Sequence, residues 1–290
     1  MDTLKQRGVT LIELVVTIAV GSVVVAFMAM FIVTPISAYT AQTRRAELTD
    51  DAESVLRFMG RDLRGALPNS VRVATSGTVT ALELFATVDG ARYRDSGLPN
   101  DPLSLDFTSA DTAFSTTVPF TQLTLPWTSS SHYLVIYNVG VSGANAYQTT
   151  GTGVPNVITP ANTTITITQQ PSSGQDLITL SSGFQFAYGS PGKRMYLVSG
   201  PVSYLCDTAA GTMLRYSGYS ILSTQPTTAA ALLAAGATAS KISADVASCQ
   251  FTYAAVTTAL RNALVTLQLT LTQSGESVQL LHEVQLVNGP

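Results

Sequence analysis

Charge is what this chain has least of: Asp, Glu, Lys and Arg make up 11% of its 290 residues, against about 25% in an ordinary soluble domain. Two cysteines and two histidines leave no room for a Cys/His metal cluster of the zinc-finger type. With 15 basic and 18 acidic residues and a net charge of −3, the basic footprint of a nucleic-acid binder is missing. No G-x-S-x-G, C-x-x-C or H-E-x-x-H occurs, so the common hydrolase, redox and zinc-protease signatures are missing as well. What fills the gap is 46% hydrophobic residues, with abundant Thr, Ser and Gly. That composition suits an exported β-rich domain and excludes a coiled coil or an acidic disordered chain.

The few charges are unevenly spread. Residues 1–65 hold 7 of the 15 basic and 7 of the 18 acidic residues, leaving 8 and 11 for residues 66–290. From Leu14 to Val33 there is no charge at all over 20 residues, about 30 Å as a helix and enough to cross a bilayer. A secretory signal peptide or a plain signal anchor would also carry such a run. The run is longer than a usual signal core, however, and no clear A-x-A site follows it. Lys5 and Arg7 precede it while Arg44 and Arg45 follow at similar reach, so loop charge does not orient it. The anomaly is Glu13, a carboxylate at the mouth of the apolar run, where burial in lipid costs several kcal/mol at worst.

Around Glu13 the chain reads Lys5-Gln6-Arg7-Gly8-Val9-Thr10-Leu11-Ile12-Glu13-Leu14. A short basic leader, a Gly, a hydrophobic residue and T-L-I-E-L entering an apolar helix resemble the signature of type IV prepilins and type II secretion pseudopilins. The resemblance implies cleavage between Gly8 and Val9 by a membrane-embedded prepilin peptidase and N-methylation at Val9, leaving 282 of the 290 residues. One departure is Val9, where the family usually has Phe, which bears on the extent of methylation. The resemblance also makes Glu13 the fifth mature residue, an assembly group pairing with a neighbouring subunit's N-terminal amine. A charge pair in low dielectric sets the register of one subunit against the next.

Past the membrane-length run, Pro35 is expected to kink the helix. Leu48, Ala52, Val55, Met59 and Leu63 recur at spacings of four, three, four and four, the apolar stripe of an amphipathic helix. Its other faces carry the charges from Arg44 to Arg64, Asp62 among them, and Glu53 and Arg57 stand i,i+4 in the favourable order. Asp50 and Asp51 point about 100° apart around the helix and read as a solvated face. Pro68 forbids continuation, so the helix should stop near Gly65. Val9 to Gly65 is 57 residues, about 85 Å of helix.

The rest reads as strands at 79–88, 133–139, 163–168, 176–180, 194–198, 212–223, 250–254, 264–272 and 277–287, separated by Gly, Ser, Pro and Asn turns. Ser274-Gly275 joins the last two as a hairpin, and the Ala/Leu run at 227–235 is a short helix candidate. Cys206 and Cys249 form an even pair in an exported domain, which reads as a disulfide, with two buried free thiols as the alternative. His132 and His282 read as strand histidines. The loop from Asp95 to Asp101 offers oxygen ligands but misses the EF-hand spacing and reads as a polar turn. Trp127, Tyr133 and Tyr137 read as packing residues before a sugar platform.

Scattered positions, among them Leu67–Val73, Leu197–Tyr204 with Cys206, Arg215-Tyr216 and Gly218-Tyr219, are similar to the O-type minor pilins of the mannose-sensitive haemagglutinin pilus. The expected architecture is α+β and pilin-like, with a long N-terminal helix packed on a large antiparallel β-rich domain. Residues 1–8 would be leader, 9–65 the membrane and assembly helix, and 66–290 a periplasmic or extracellular domain. The expected role is that of a non-enzymatic minor pilin without cofactor or metal. It would sit in the bacterial inner membrane before assembly and on the pilus afterwards. Its partners would be the prepilin peptidase, other pilins and the inner-membrane assembly platform. A type II pseudopilin or an anchored exported adhesin are the alternatives.

Overall fold

The structure is a computed structural model that describes residues 8–96, 101–148, 153–170, 173–254 and 262–289, apart from the side chains of 32–34. It opens on α1 (Leu11–Arg64), a helix of 54 residues, about 80 Å long. Pro35 lies inside α1 and does not divide it. Gly65 caps the end, its N–H donating to the carbonyls of Arg61 and Leu63. From Leu11 to Phe31 the side chains are exposed, with Leu11 at 82% and Phe31 at 76%. The second half is different. Leu48, Ala52, Val55, Met59 and Leu63 are all buried, and Leu56 joins them, each large aliphatic contributing about 1.5–3 kcal/mol.

Among the described residues the strands form two antiparallel sheets. The first holds ten strands along the path β10 (Thr238–Ser243), β9 (Thr212–Ser217), β8 (Arg194–Asp207), β2 (Val79–Tyr93), β3 (Asp111–Val118), β7 (Asp176–Phe184), β6 (Ile165–Gln169) and β4 (Trp127–Ser129). Alongside it, β1 (Arg72–Ser76) pairs with β2 and β5 (Tyr133–Val135) with β8. The second sheet orders β11 (Val246–Ala254), β12 (Asn262–Gln273) and β13 (Glu276–Val287). Ser274 and Gly275, at φ 48° and 87°, make the two-residue turn between β12 and β13, the conformation a tight hairpin needs. The fold is thus α+β, a long apolar helix followed by a large antiparallel domain.

Helix α1 packs on the three-stranded sheet and runs parallel to β13. Arg45 pairs with Glu276 at 2.6 Å near the start of that strand, and Gly60 lies against His282 and Val284 further along. Gly60 is a close approach. A Cβ there would stand 2.9 Å from His282 Nε2, so any larger residue would have to displace the His282 ring. One apolar cluster joins the helix stripe to Val265, Leu267, Leu269 and Leu271 of β12 and to Leu82, Leu84, Val202 and Tyr204 of the large sheet.

Asp62, one of the charges read as lying off the apolar stripe, has partners in the large sheet. It accepts from the Tyr204 hydroxyl at 2.6 Å and from Arg215 Nε at 3.0 Å, and its side chain is 17% exposed. Helical periodicity alone could not show this, because its partners come from β8 and β9. Several strands also differ from expectation. The run 212–223 ends at Ser217, since Gly218 at φ 77° turns the chain. The run 133–139 gives only three strand residues, and Tyr137 takes φ 61°. Strand β3 was not legible because Asp, Ser and Thr occupy five of its eight positions, and β1 and β10, of five and six residues, are too short for their alternation to stand out. The Ala/Leu run forms α2 (Ala229–Ala234), capped by the Thr228 hydroxyl, with Leu232 buried.

Cys206 of β8 and Cys249 of β11 are joined by a disulfide, with Cα atoms 6.5 Å apart and the two residues 43 positions apart in sequence. It links the large sheet to the three-stranded one. Cys206→Ser is expected to lower stability by about 4 kcal/mol, the chain-entropy figure for a loop of this length. Denaturant unfolding of the oxidised chain against the variant measures it, and a midpoint unchanged by the substitution would refute the estimate.

A second tie is ionic. Glu83 of β2 is fully buried and accepts from Arg72 Nε at 2.5 Å and from the Tyr219 hydroxyl at 2.7 Å. Ser203 is bonded to that same hydroxyl. Arg72 also donates to the carbonyls of Leu222 and Ser223 and lies 3.6 Å from the centre of the Tyr147 ring. One guanidinium thereby fastens the loop after β9 to the middle of the large sheet. Burial pushes the Glu83 carboxyl above its ordinary value, against the opposing pull of Arg72 and Tyr219.

Candidate processing and assembly site

The N-terminal signature residues stand together at the exposed end of α1. Gly8 and Val9 are exposed and precede the helix. Thr10 is the N-cap, with extended backbone (φ −79°, ψ 152°), and its hydroxyl oxygen accepts from the Glu13 N–H at 3.3 Å. Thr10-Leu11-Ile12-Glu13 therefore has the S/T-x-x-E order of a capping box, a role for Thr10 that the sequence reading missed. The Thr-x-x-Glu spacing is the signal that carries it.

Gly8 has no structural requirement of its own. A Cβ built on it meets nothing within 4 Å, and its φ lies outside the positive range. Glycine is not needed there for packing or backbone conformation, in contrast with Gly60. Glu13 sits in the first helical turn, where the helix dipole favours a negative charge. Its side chain has no hydrogen-bond or ion-pair partner among the described residues. Behind it, α1 is the one described helix long and apolar enough to cross a membrane, and that stretch has no cover from the rest of the chain. Only Val9 and Thr10 separate the Gly8 carbonyl from the helix, so cleavage there would put a new amine at the tip of the apolar rod.

The other candidate groups are placed apart from this site. The leader residues before Gly8, and Asn100 in the 95–101 loop, lie outside the described residues. Asp101 is held by Arg94 at 2.8 Å and Asp95 faces Lys193 at 3.7 Å, so both acids already have cationic partners. His132 Nδ1 lies 2.7 Å from Ser129 Oγ, with its ring edge-on to Trp127, a turn contact with no carboxylate behind it. His282 packs between β13 and Gly60. Asp50 and Asp51 are exposed. No group of three or more His, Cys, Asp or Glu placed to share a metal occurs among the described residues. A cleft of about 240 Å³ lined in part by Tyr133, Asn156, Thr159 and Ile221 is smaller than most small-molecule pockets.

The exposed apolar helix, with an acid in its first turn, is carried on a β-rich domain. Residues 3–29 match a family model described as the prokaryotic N-terminal methylation motif, which supports a type IV prepilin-like protein, pilin or pseudopilin. That motif belongs to structural pilin-type proteins and implies processing by a prepilin peptidase and assembly with other pilins in general. No curated protein and no solved structure matches this chain.

Proposed function

We propose that this chain is a minor type IV pilin of a pilus of the mannose-sensitive haemagglutinin type, a structural and priming subunit at or near the tip. The peptidase cuts between Gly8 and Val9 and methylates the Val9 amine. The helix anchors the mature chain once through the inner membrane, with residues 66–290 in the periplasm until the assembly platform draws the subunit into the filament. The observation that carries this reading is Glu13: an unpaired carboxylate five positions past Gly8, in the first turn of a helix whose next twenty side chains are uncharged. A plain anchor gains nothing from an acid at that depth, whereas a filament subunit can set it against a neighbour's amine. The scattered likeness to O-type minor pilins supports the pilus assignment. The shared signature also fits a type II secretion pseudopilin, which is the second reading.

Glu13→Val tests it. Insertion and cleavage should be spared while recovery of the protein in sheared filaments falls several-fold, counted by immunoblot against surface pili seen by electron microscopy. Normal incorporation would remove the assembly role and favour the simple anchor.

A further inference from the structure

The segment 118–122, leading out of β3, is gripped by two carboxylates from different strands. Asp176, the first residue of β7, accepts from the Phe120 N–H at 2.8 Å. Asp89 of β2 accepts from the Gln122 N–H at 2.6 Å and the Gly90 N–H at 2.7 Å. Strand alternation sets both acids on one side of the sheet. Asp89 is in phase with Ala91 and Tyr93, and Asp176 with Ile178 and Leu180; all four apolar residues share one core cluster with Phe120. The acids therefore flank Phe120 at the rim of that core. Both are buried, Asp176 at 1% exposure and Asp89 at 7%, and no ion pair among the described residues reaches either.

Asp176 Oδ1 is the atom left over. It is buried and has no hydrogen-bond partner, although a buried carboxylate without compensation is costly. Its own burial and the neighbouring Asp89 both push the Asp176 carboxyl above its ordinary value. Either a proton or a cation would relieve this arrangement, and two buried acids on one face, one with a spare buried oxygen, favour the cation.

We propose that Asp89 and Asp176 hold a hard divalent cation of the Ca²⁺ kind, with Asp176 Oδ1 as its innermost ligand. Carbonyl oxygens of the 118–122 segment and water would complete the shell, since Ca²⁺ takes six to eight oxygens of mixed origin. Two carboxylates neutralise its charge, and the ion would pin the exit of β3 between β2 and β7. This site stands apart from Gly8, Val9 and Glu13 and does not depend on the pilin reading.

The test is thermal unfolding of the full mature chain in detergent micelles, stripped with EGTA and then given 1 mM CaCl2 or MgCl2. Ca²⁺ at about 100 times its Kd should raise the wild-type Tm by about 5 °C or more, with Mg²⁺ doing less. Asp176→Asn keeps an oxygen for the Phe120 N–H and removes the charge, so it should fold in EGTA with a Tm at or above wild type and lose the Ca²⁺ response. Should that variant fail to fold, Asp89→Asn is read the same way. A wild-type Tm unmoved by Ca²⁺, or an equal shift in the variants, overturns the proposal. A wild type indifferent to Ca²⁺ whose stability falls between pH 4 and 7, with Asp176→Asn flat, would overturn it in favour of a proton on Asp176.

Discussion

Gly8→Val is expected to leave the whole population at precursor mass in the inner membrane, with no 282-residue form detectable. The structure makes this substitution unusually clean. A Cβ at position 8 meets nothing within 4 Å among the described residues and asks for no positive φ, so the folded chain should lose little by the substitution. Any effect then falls on recognition by the peptidase, whose cut is expected next to this residue. Intact-mass measurement of the membrane protein, in cells with and without the peptidase, gives the answer. Appearance of a mature chain beginning anywhere but Val9 would refute the assignment of the site.

Arg72→Met is expected to cost about 3–5 kcal/mol, the usual loss when one partner of a buried ion pair is removed. Methionine keeps much of the volume but leaves Glu83, at 0% exposure, with only the Tyr219 hydroxyl as a donor. The loop carbonyls of Leu222 and Ser223 lose their anchor at the same time. The loss should depend on pH. Burial already raises the Glu83 carboxyl above its ordinary value, so between those two values the folded chain keeps a proton that the unfolded chain has released. Its contribution is most favourable below the ordinary carboxyl value and declines as pH rises through the raised one. Without Arg72 that upper value moves higher still, and the difference between variant and wild type should widen from pH 4.5 to pH 7.5. Denaturant unfolding at both pH values measures it. An equal difference at the two would mean that packing, and not the buried charge, sets the cost.

Local patterns carried far in this chain, and long-range pairing did not. The stripe from Leu48 to Leu63 was readable because helical neighbours repeat at a fixed interval, and all five side chains are buried. The last hairpin was readable because β12 alternates strictly and Ser274-Gly275 is a turn pair. The buried ties were not. Arg72 meets Glu83 across 11 positions and Tyr219 meets Glu83 across 136, and nothing in either neighbourhood announces the other. The partners of Asp62 were hidden for the same reason, since Tyr204 lies 142 positions away. Strands such as β10, read as Thr-Ala-Ser-Lys-Ile-Ser, are strands because β9 offers them an edge. At the N-terminus the proposed site could be drawn from sequence alone because Gly8, Val9 and Glu13 lie within six consecutive positions, and the fold demands little of them.

The parallel run of α1 beside β13 has a mechanical meaning. In the filament proposed above, the subunit would be held by its protruding helix, and traction along the fibre would pull that helix lengthwise past the strand it lies on. The Leu48–Leu63 seam is then loaded in shear, so its side chains resist together, and the Arg45–Glu276 bridge stands at the end where the pull enters. From β13 the force spreads through the ladder to β12 and β11, and there the Cys206–Cys249 bond passes it covalently into the large sheet. The C-terminal hairpin is the coupling through which the rod drags the rest of the subunit.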